Sequence, residues 1–397
     1  MTHTRQWSNS TLVRKGERMI ECIEWILIIT TSLYCIQMLI FTIGLFFPNI
    51  KRQKNQPFVS VIIAARNEEK NIPHVIRDLK RQDYPSHEYE VILVDDFSSD
   101  STRSLVEKLA SDLPNFRVIS SSEDASGRMT AKKNALQQGI EASRGAIILT
   151  ADADCRLKPG WITGMVSYFD DNVGMIVGFS QIGRKQESRP VFEQLQALDF
   201  LALLSAAQGS LNLKFPLAAT GQNLAYRREA FNQVGGYQDV GHRISGDDVL
   251  LLQLIAGKTD WDIRFAPDAK CFNRTNPEKS LKNFLNQRRR WASNGLYQLK
   301  LNKLFFLIVL NTFILNLLLT TGILLSFFIP FNPLLLIGAL TVKLIFELFL
   351  IIKGARKYGR TDLIKYFPIW ALLQIPYIVL AGSLGNIGRF TWKGRVH

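Results

Sequence analysis

The sequence predicts an α/β domain set between membrane helices. Three observations carry that reading. Short, β-branched apolar runs alternate with helical stretches from about residue 57 onward. Acidic residues close several of those runs. Long uncharged apolar segments stand on either side of the whole. Regular alternation of strand and helix is what a doubly wound, parallel sheet requires.

Residues 25–47 carry no charge over about 23 positions, enough to cross a bilayer. No small-residue cleavage site follows, so the segment reads as a retained membrane helix. A basic linker with Lys51, Arg52 and Lys54 leads to the first strand, Phe58 to Ala65, and to the polar turn Arg66-Asn67-Glu68-Glu69. A second strand, Glu90 to Val94, stops at Asp95-Asp96. Ser98-Ser99-Asp100 supplies N-cap chemistry for a helix over residues 101–112. Residues 116–119 form a third strand and 130–143 a further helix. The run from Ala146 to Thr150 then ends at Asp152-Ala153-Asp154. Ligands of open α/β sheets bind beyond the carboxyl ends of the strands, so Asp152 and Asp154 are placed at a ligand-binding edge. Two hard oxygen donors there suit Mg²⁺ or Mn²⁺ and, through the ion, a diphosphate.

Residues 190–209 carry a helical apolar stripe through Phe192, Leu195, Leu198, Leu201 and Leu204. It fits a core helix and a helix lying in the membrane interface equally well. Three apolar segments close the chain, at residues 304–329, 334–352 and 367–387. The second holds Lys343 and Glu347, spaced to pair on one helix face, and the third contains Pro376 and reads as transmembrane or re-entrant. Basic residues sit beside these spans, among them Lys353, Arg356, Lys357, Arg360 and Lys365, so the net charge of +14 is assigned to an anionic inner leaflet. No zinc-finger spacing or recognition helix points to nucleic acid. Cys22, Cys35, Cys155 and Cys271 form no Cys-x-x-Cys pair. These features suggest an integral protein of the plasma (inner) membrane with a cytosolic domain. One conflict remains: Arg5, Arg14, Lys15 and Arg18, and also Arg389, Lys393 and Arg395, fall outside if every apolar segment crosses.

Asp95-Asp96, Asp152 and Asp154, and Asp247-Asp248 make a series of acidic strand ends. At one sheet mouth they would repel one another without a cation. Taken with Val59 to Glu69, Gly246-Asp247-Asp248 and Gln287-Arg288-Arg289-Arg290-Trp291, the ordered set resembles the membrane-integrated family 2 inverting glycosyltransferases. That group includes chitin-oligosaccharide, hyaluronan and poly-N-acetylglucosamine synthases, and ceramide glucosyltransferases are similar in layout. The resemblance covers residues 57–295 by motif. It implies a nucleotide-diphosphosugar transferase (GT-A, Rossmann-like) domain that transfers a hexose or N-acetylhexosamine from a UDP-sugar to a lipid-linked acceptor or growing polysaccharide.

By that resemblance Asp95 and Asp96 meet the uracil, and the backbone around Ala64, Arg66, Asn67 and Glu68 lines the nucleoside. Asp154 ligates Mg²⁺ or Mn²⁺, with Asp152 at the ion and the nucleotide. One of Lys132 and Lys133 meets phosphate or the donor sugar. Asp248 is the general base and Asp247 supports it, with Gly246 allowing close backbone approach. Gln287 and Arg288 contact substrate, Arg290 takes charge from the departing diphosphate, and Trp291 stacks on a sugar. The stretch from Ala219 to Arg228, including Gly221 and Asn223, resembles an acceptor-side strand. Phe390 to Arg395 resembles C-terminal segments near the active site of some relatives. So few spans argue against a wide translocation channel in a single chain; an assembly of several chains would be needed. The alternative reading is a non-catalytic membrane receptor or scaffold that keeps the fold without the chemistry.

Overall fold

The computed structural model describes residues 2–47, 53, 56–124, 127–183, 185, 189–326, 332–385, 391–392 and 395–396. Lys51, Arg52, Lys54, Arg389 and Lys393 lie outside the described residues, as do the side chains of Arg5, Arg14 and Lys15 and of the segment from Phe390 to Arg395.

A long helix, α1 (Thr2–Gly44), opens the chain. The domain follows as β1 (Val59–Ala65), α2 (Ile72–Lys80), β2 (Tyr89–Asp95), α3 (Thr102–Ala110), β3 (Phe116–Ser120), α4 (Ala131–Glu141) and β4 (Ile147–Thr150). It continues through α5 (Trp161–Val166), β5 (Val173–Gly178), β6 (Ser180–Ile182), α6 (Val191–Asn212), β7 (Leu224–Arg227), α7 (Arg228–Gln233), α8 (Val249–Lys258), β8 (Asp262–Ala266), β9 (Asn273–Thr275) and α9 (Leu281–Ala292). A short α10 (Gln298–Leu301) leads to three apolar helices, α11 (Lys303–Leu325), α12 (Pro333–Lys357) and α13 (Phe367–Gly385).

Seven strands form one sheet in the order β3-β2-β1-β4-β7-β5-β8. The expected parallel sheet needs one correction: β7 runs antiparallel to both neighbours, β4 and β5. The connection from β5 to β7 runs through β6 and the single helix α6. The alternation of faces is clean. Val59, Val61 and Ile63 of β1 face one core with Val91 and Leu93 of β2, under α2 and α5. Ile62, Ile92 and Val94 face the other core, which takes in α4, α6 and α8. Both cores are closed, so the strands are buried on both faces, as their unbroken aliphatic runs require.

Among the described residues, four stretches are long and apolar enough to cross a membrane: Arg18–Gly44, Lys303–Leu324, Pro333–Lys357 and Thr361–Gly385. The bundle is fused to the domain. Ile351, Ala355 and Tyr358 at the end of α12 belong to the sheet's second core, and Tyr358 stacks on Phe179 at 3.8 Å between centroids. The helix weighed as core or interface serves both ends: α6 buries Leu198, Leu201 and Leu204 against the domain and packs along α1 and α12. Lys343 and Glu347 do pair, at 2.7 Å and fully buried, with Tyr34 donating to the same carboxylate at 2.5 Å.

The last helix, α13, is one continuous helix containing Pro376, not a hairpin. Near its start Trp370 donates to Asp199 of α6. At its end a Cβ on Gly385 would stand 2.7 Å from the Ala292 side chain of α9, and the Leu384 carbonyl accepts from Arg289. Both ends of α13 therefore meet the domain.

Candidate active site

The carboxylates expected at the sheet mouth do converge. Asp96, Asp152, Asp154, Asp247 and Asp248 line one cavity of about 940 Å³. Its other walls come from Ala64, Arg66 and Glu68 after β1, from Gln287, Arg288, Arg290 and Trp291 on α9, and from α6, α11 and α13.

Each part is positioned by local structure. Asp248 is the N-cap of α8: its Oδ1 accepts from the Val249 N–H at 2.6 Å and its Oδ2 from the Gly221 N–H at 2.7 Å. Gly221 thus enters the site through its backbone. Gly246, at φ 84°, turns the chain into that cap where a side chain would collide with Leu250 and Asn294. The loop before it is tied down from both sides. Ser245 Oγ donates to the Arg290 carbonyl at 2.8 Å, and Lys133 donates to the carbonyls of Arg243 and Ser245. The helix α9 starts at a Ser280 cap and projects Gln287, Arg290 and Trp291 within little more than one turn, so all three reach the cavity.

Charge in this half is dense. Lys132 bridges Asp152 and Asp247, with both contacts at 2.7 Å. Burial acts to raise the Asp247 carboxyl, yet Lys132, Lys133 and Arg290 together hold this group below the usual carboxylate range. Asp248 behaves oppositely: burial and then the adjacent Asp247 charge push it up, against the backbone N–H bonds that favour the anion. Burial lowers Arg290, while Asp247, Asp152 and Asp248 act to keep it charged. Burial brings Lys133 down to about 8.

Three expected contacts, at Asp95, Asn223 and Asn67, need correcting, and the choice between Lys132 and Lys133 is resolved. Asp95 is not on the cavity wall. It closes β2 facing inward, and Asp96, one residue on, points the other way and lines the cavity. Lys133 is sealed beneath the loop it supports, so Lys132 alone of the pair meets the cavity. Asn223 is fully buried and structural, accepting from Trp161 Nε1 at 2.9 Å and donating to the Phe179 and Cys271 carbonyls. Asn67, at φ 53°, likewise holds the turn: its side chain accepts from the Ser99 N–H at 2.8 Å, and the residue is outside the cavity lining.

Sequence reasoning missed Glu278, which lines the cavity and accepts from Gln287 at 3.2 Å, and Asp199, which binds Arg288 at 2.6 Å. Asp199 did leave a trace: it is an acid in the middle of an otherwise apolar stripe. Glu278 left none.

Among the described residues, no three His, Cys, Asp or Glu side chains group closely enough to hold a metal by themselves. Asp152 and Asp154 still fit half of a Mg²⁺ or Mn²⁺ shell, because such ions are commonly held by one or two carboxylates with substrate phosphates and water completing the rest.

The likenesses agree with this geometry. The chain is 29% identical over 247 residues to a beta-monoglucosyldiacylglycerol synthase of Trichormus variabilis, covering 61% of this chain and 50% of that protein. It is 32% identical over 131 residues to an undecaprenyl-phosphate 4-deoxy-4-formamido-L-arabinose transferase of Shewanella sediminis, covering 32% and 38%. The chain thus spans about half, or less, of the length of these curated relatives. Among solved structures, a mannosyltransferase of Pyrobaculum calidifontis in complex with GDP-Man and Mn²⁺ matches 89% of this chain and 99% of its own, with a TM-score of 0.59 at 20% identity; this shows the shared fold. The model of glycosyl transferase family 2 matches residues 60–235, and that part of the chain, with its mixed sheet and its acidic strand ends, is a glycosyl transferase family 2 domain.

Proposed function

We propose that the chain is an inverting glycosyltransferase of the cytosolic face of the plasma (inner) membrane. It moves a hexose or N-acetylhexosamine from a UDP-sugar to a hydroxyl of a membrane-borne acceptor. The observation that carries this reading is a single cavity whose one half is lined by the strand-end carboxylates and whose other half is walled by apolar helices. A polar donor and a lipid-borne acceptor would meet there without leaving the protein.

The donor's nucleoside lies along the turn after β1 and against Asp96. Asp154 and Asp152 would hold Mg²⁺ or Mn²⁺, which would neutralise charge on the diphosphate. Asp248 accepts the proton of the acceptor hydroxyl as its oxygen bonds to the anomeric carbon. The bond from that carbon to the diphosphate oxygen breaks, and its electron pair leaves with the nucleoside diphosphate. Arg290 meets the developing charge. One displacement inverts the anomeric centre. Burial gives Asp248 the basicity this step needs, while its two backbone N–H bonds fix its direction.

Three helices cross, α1, α11 and α12, and α13 lies along the junction between domain and lipid. That arrangement keeps the C-terminal end of α13 on the cytosolic side.

The test is the purified full chain in lipid nanodiscs with a panel of nucleotide sugars, either metal, and membrane lipids. Nucleoside diphosphate release, product mass and the anomeric configuration are read. An inverted glycolipid is expected. Donor binding with no transfer in any combination would leave the scaffold reading standing.

A further inference from the structure

The acceptor half of the cavity has a charge pattern of its own. The residues that α1, α6, α11, α12 and α13 give to it include two carboxylates, Asp199 and Glu347, and no lysine or arginine. Beside them stands one guanidinium, Arg288 of α9, which is 4% exposed and bound to Asp199 at 2.6 Å. Asp199 in turn accepts from Trp370 Nε1 at 3.3 Å and from the Tyr377 hydroxyl at 3.1 Å, so its oxygens are well occupied. Arg288 is not: its Nε and Nη1 are buried and donate to nothing in the protein. Its guanidinium carbon lies over two rings, 4.7 Å from the Phe284 centroid and 4.2 Å from that of Trp291. Two buried donors without a partner thus stand on a residue that lines the cavity.

From this we infer that the acceptor is an uncharged lipid alcohol whose ester or amide carbonyl is read by Arg288 within the Arg288–Asp199–Tyr377 cluster. The inference rests on the transfer reaction proposed above and names its acceptor class. Buried donors without partners are costly, and a carbonyl oxygen satisfies them. A lipid phosphate is disfavoured by the same geometry. Arg288 is already neutralised by Asp199, so a phosphate entering there would bring a second negative charge beside a desolvated carboxylate and meet no free cation. Glu347 lower in the wall adds to that penalty, its Lys343 partner being spent on it at 2.7 Å. An alcohol adjacent to a carbonyl, with two hydrocarbon chains, meets both demands: the carbonyl is held at Arg288, and the chains follow the apolar faces of Phe305, Ile308 and Phe313.

The experiment offers the full chain in nanodiscs an equimolar mixture of dioleoylglycerol and a polyprenyl phosphate, and reads retained lipid by native mass spectrometry. This measures binding whether or not sugar moves. Dioleoylglycerol should dominate by about tenfold, as one unmatched charged hydrogen bond implies. Asp199→Asn leaves Arg288 as an unpaired cation and should turn the preference toward the polyprenyl phosphate by a similar factor. That reversal is one a structural role for the pair would not produce. Tyr377→Phe, which keeps the ion pair and the fold, should leave the order of preference intact. Preferential retention of the polyprenyl phosphate by the unaltered chain overturns the inference, even if that lipid is then glycosylated and the transferase reading holds. An unchanged preference in Asp199→Asn overturns it too. Dioleoylglycerol retention without turnover of any nucleotide sugar would support the inference while ending the transferase reading.

Discussion

The two halves of the cavity handle charge in opposite ways. At the donor end Asp96, Asp152, Asp154, Asp247 and Asp248 share a wall, and Lys132 is placed between two of them. That end is built with anionic groups in excess, and a ligand bringing cations completes it. At the acceptor end Asp199 and Glu347 each have a basic partner inside the protein, Arg288 and Lys343. That end is complete in charge and keeps only hydrogen-bonding capacity to spend. On the proposed function, the difference teaches that affinity at the donor end is set by ion and nucleotide, whereas selectivity at the acceptor end is set by shape and neutral polar contacts.

The strongest way to break this comparison is at its centre, where the two halves meet on Asp248. Asp248→Asn keeps the α8 cap but cannot take a proton. Turnover should fall about a thousandfold, within the range for loss of a positioned base. Nucleotide affinity measured by calorimetry should change little. Turnover within a few-fold of the unaltered chain would remove Asp248 from the role of base.

A smaller loss is expected from Gly221→Ala. The new methyl would stand 2.7 Å from Asp247 Oδ2 and 3.3 Å from Lys132 Nζ. It would pry the donor-end ion pair apart and tilt the N–H that orients Asp248. We expect turnover to drop by roughly 1.4–3 kcal/mol in activation free energy, about ten- to a hundredfold, because the displaced groups must stay within hydrogen-bond reach of the reacting atoms. Lipid retention, read at the other end, should be unaffected. A variant that loses lipid binding in step with turnover would show that the halves are not separable.

The donor end was far more legible in the sequence than the acceptor end, and the reason is physical. The acids proposed for nucleotide and ion stand at strand ends, so each is announced by an apolar run that stops at an acid: Val94 before Asp95, Thr150 before Asp152. Even there a one-residue shift mattered, since adjacent residues face opposite ways and Asp96 rather than Asp95 lines the cavity. The adjacent pair Lys132 and Lys133 divides in the same way, one bridging carboxylates and one buried under a loop. The acceptor end is assembled from α6, α9 and α13, which are far apart in the chain. Asp199, Trp370 and Tyr377 carry no local pattern that says they will meet. The reversal of β7 was equally invisible, because the pattern of a four-residue strand, Leu224 to Arg227, carries no sign of its direction.

The coupling between the two central acids sharpens the donor side further. Asp248 must be ionised to act, and its carboxyl is raised, first by burial and then by the Asp247 charge. Turnover should therefore decline as pH falls through that raised value. Asp247→Asn removes the neighbouring negative charge while Lys132 stays, so the Asp248 carboxyl should titrate at lower pH and the acid limb should move down. A pH–rate profile on the residual activity checks the sign. An acid limb that stays in place, or moves up, would mean that another group controls it.

The smallest effect expected concerns the outer face of the acceptor end, and it tests whether α13 crosses the bilayer. Leu373 of α13 and Ile345 of α12 are both about half exposed in the absence of lipid, at 54% and 45%. A lysine at the middle of a crossing helix costs about 2.5–3.5 kcal/mol on insertion scales. A lysine on a helix lying at the junction can extend its ammonium to water and bury only its stem. Ile345→Lys should therefore impair membrane insertion and lower thermal stability, while Leu373→Lys should shift the melting point little, by the equivalent of under about 1 kcal/mol. The contacts of Trp370 with Asp199 and of Gly385 with Ala292 tie both ends of α13 to the domain, whereas Gln374 accepts from Lys343 in the middle of α12 at 2.9 Å, so the pair of lysine variants decides between the two depths. Equal penalties at the two positions would turn α13 into a fourth crossing and remove the lipid-side wall on which the neutral acceptor half depends.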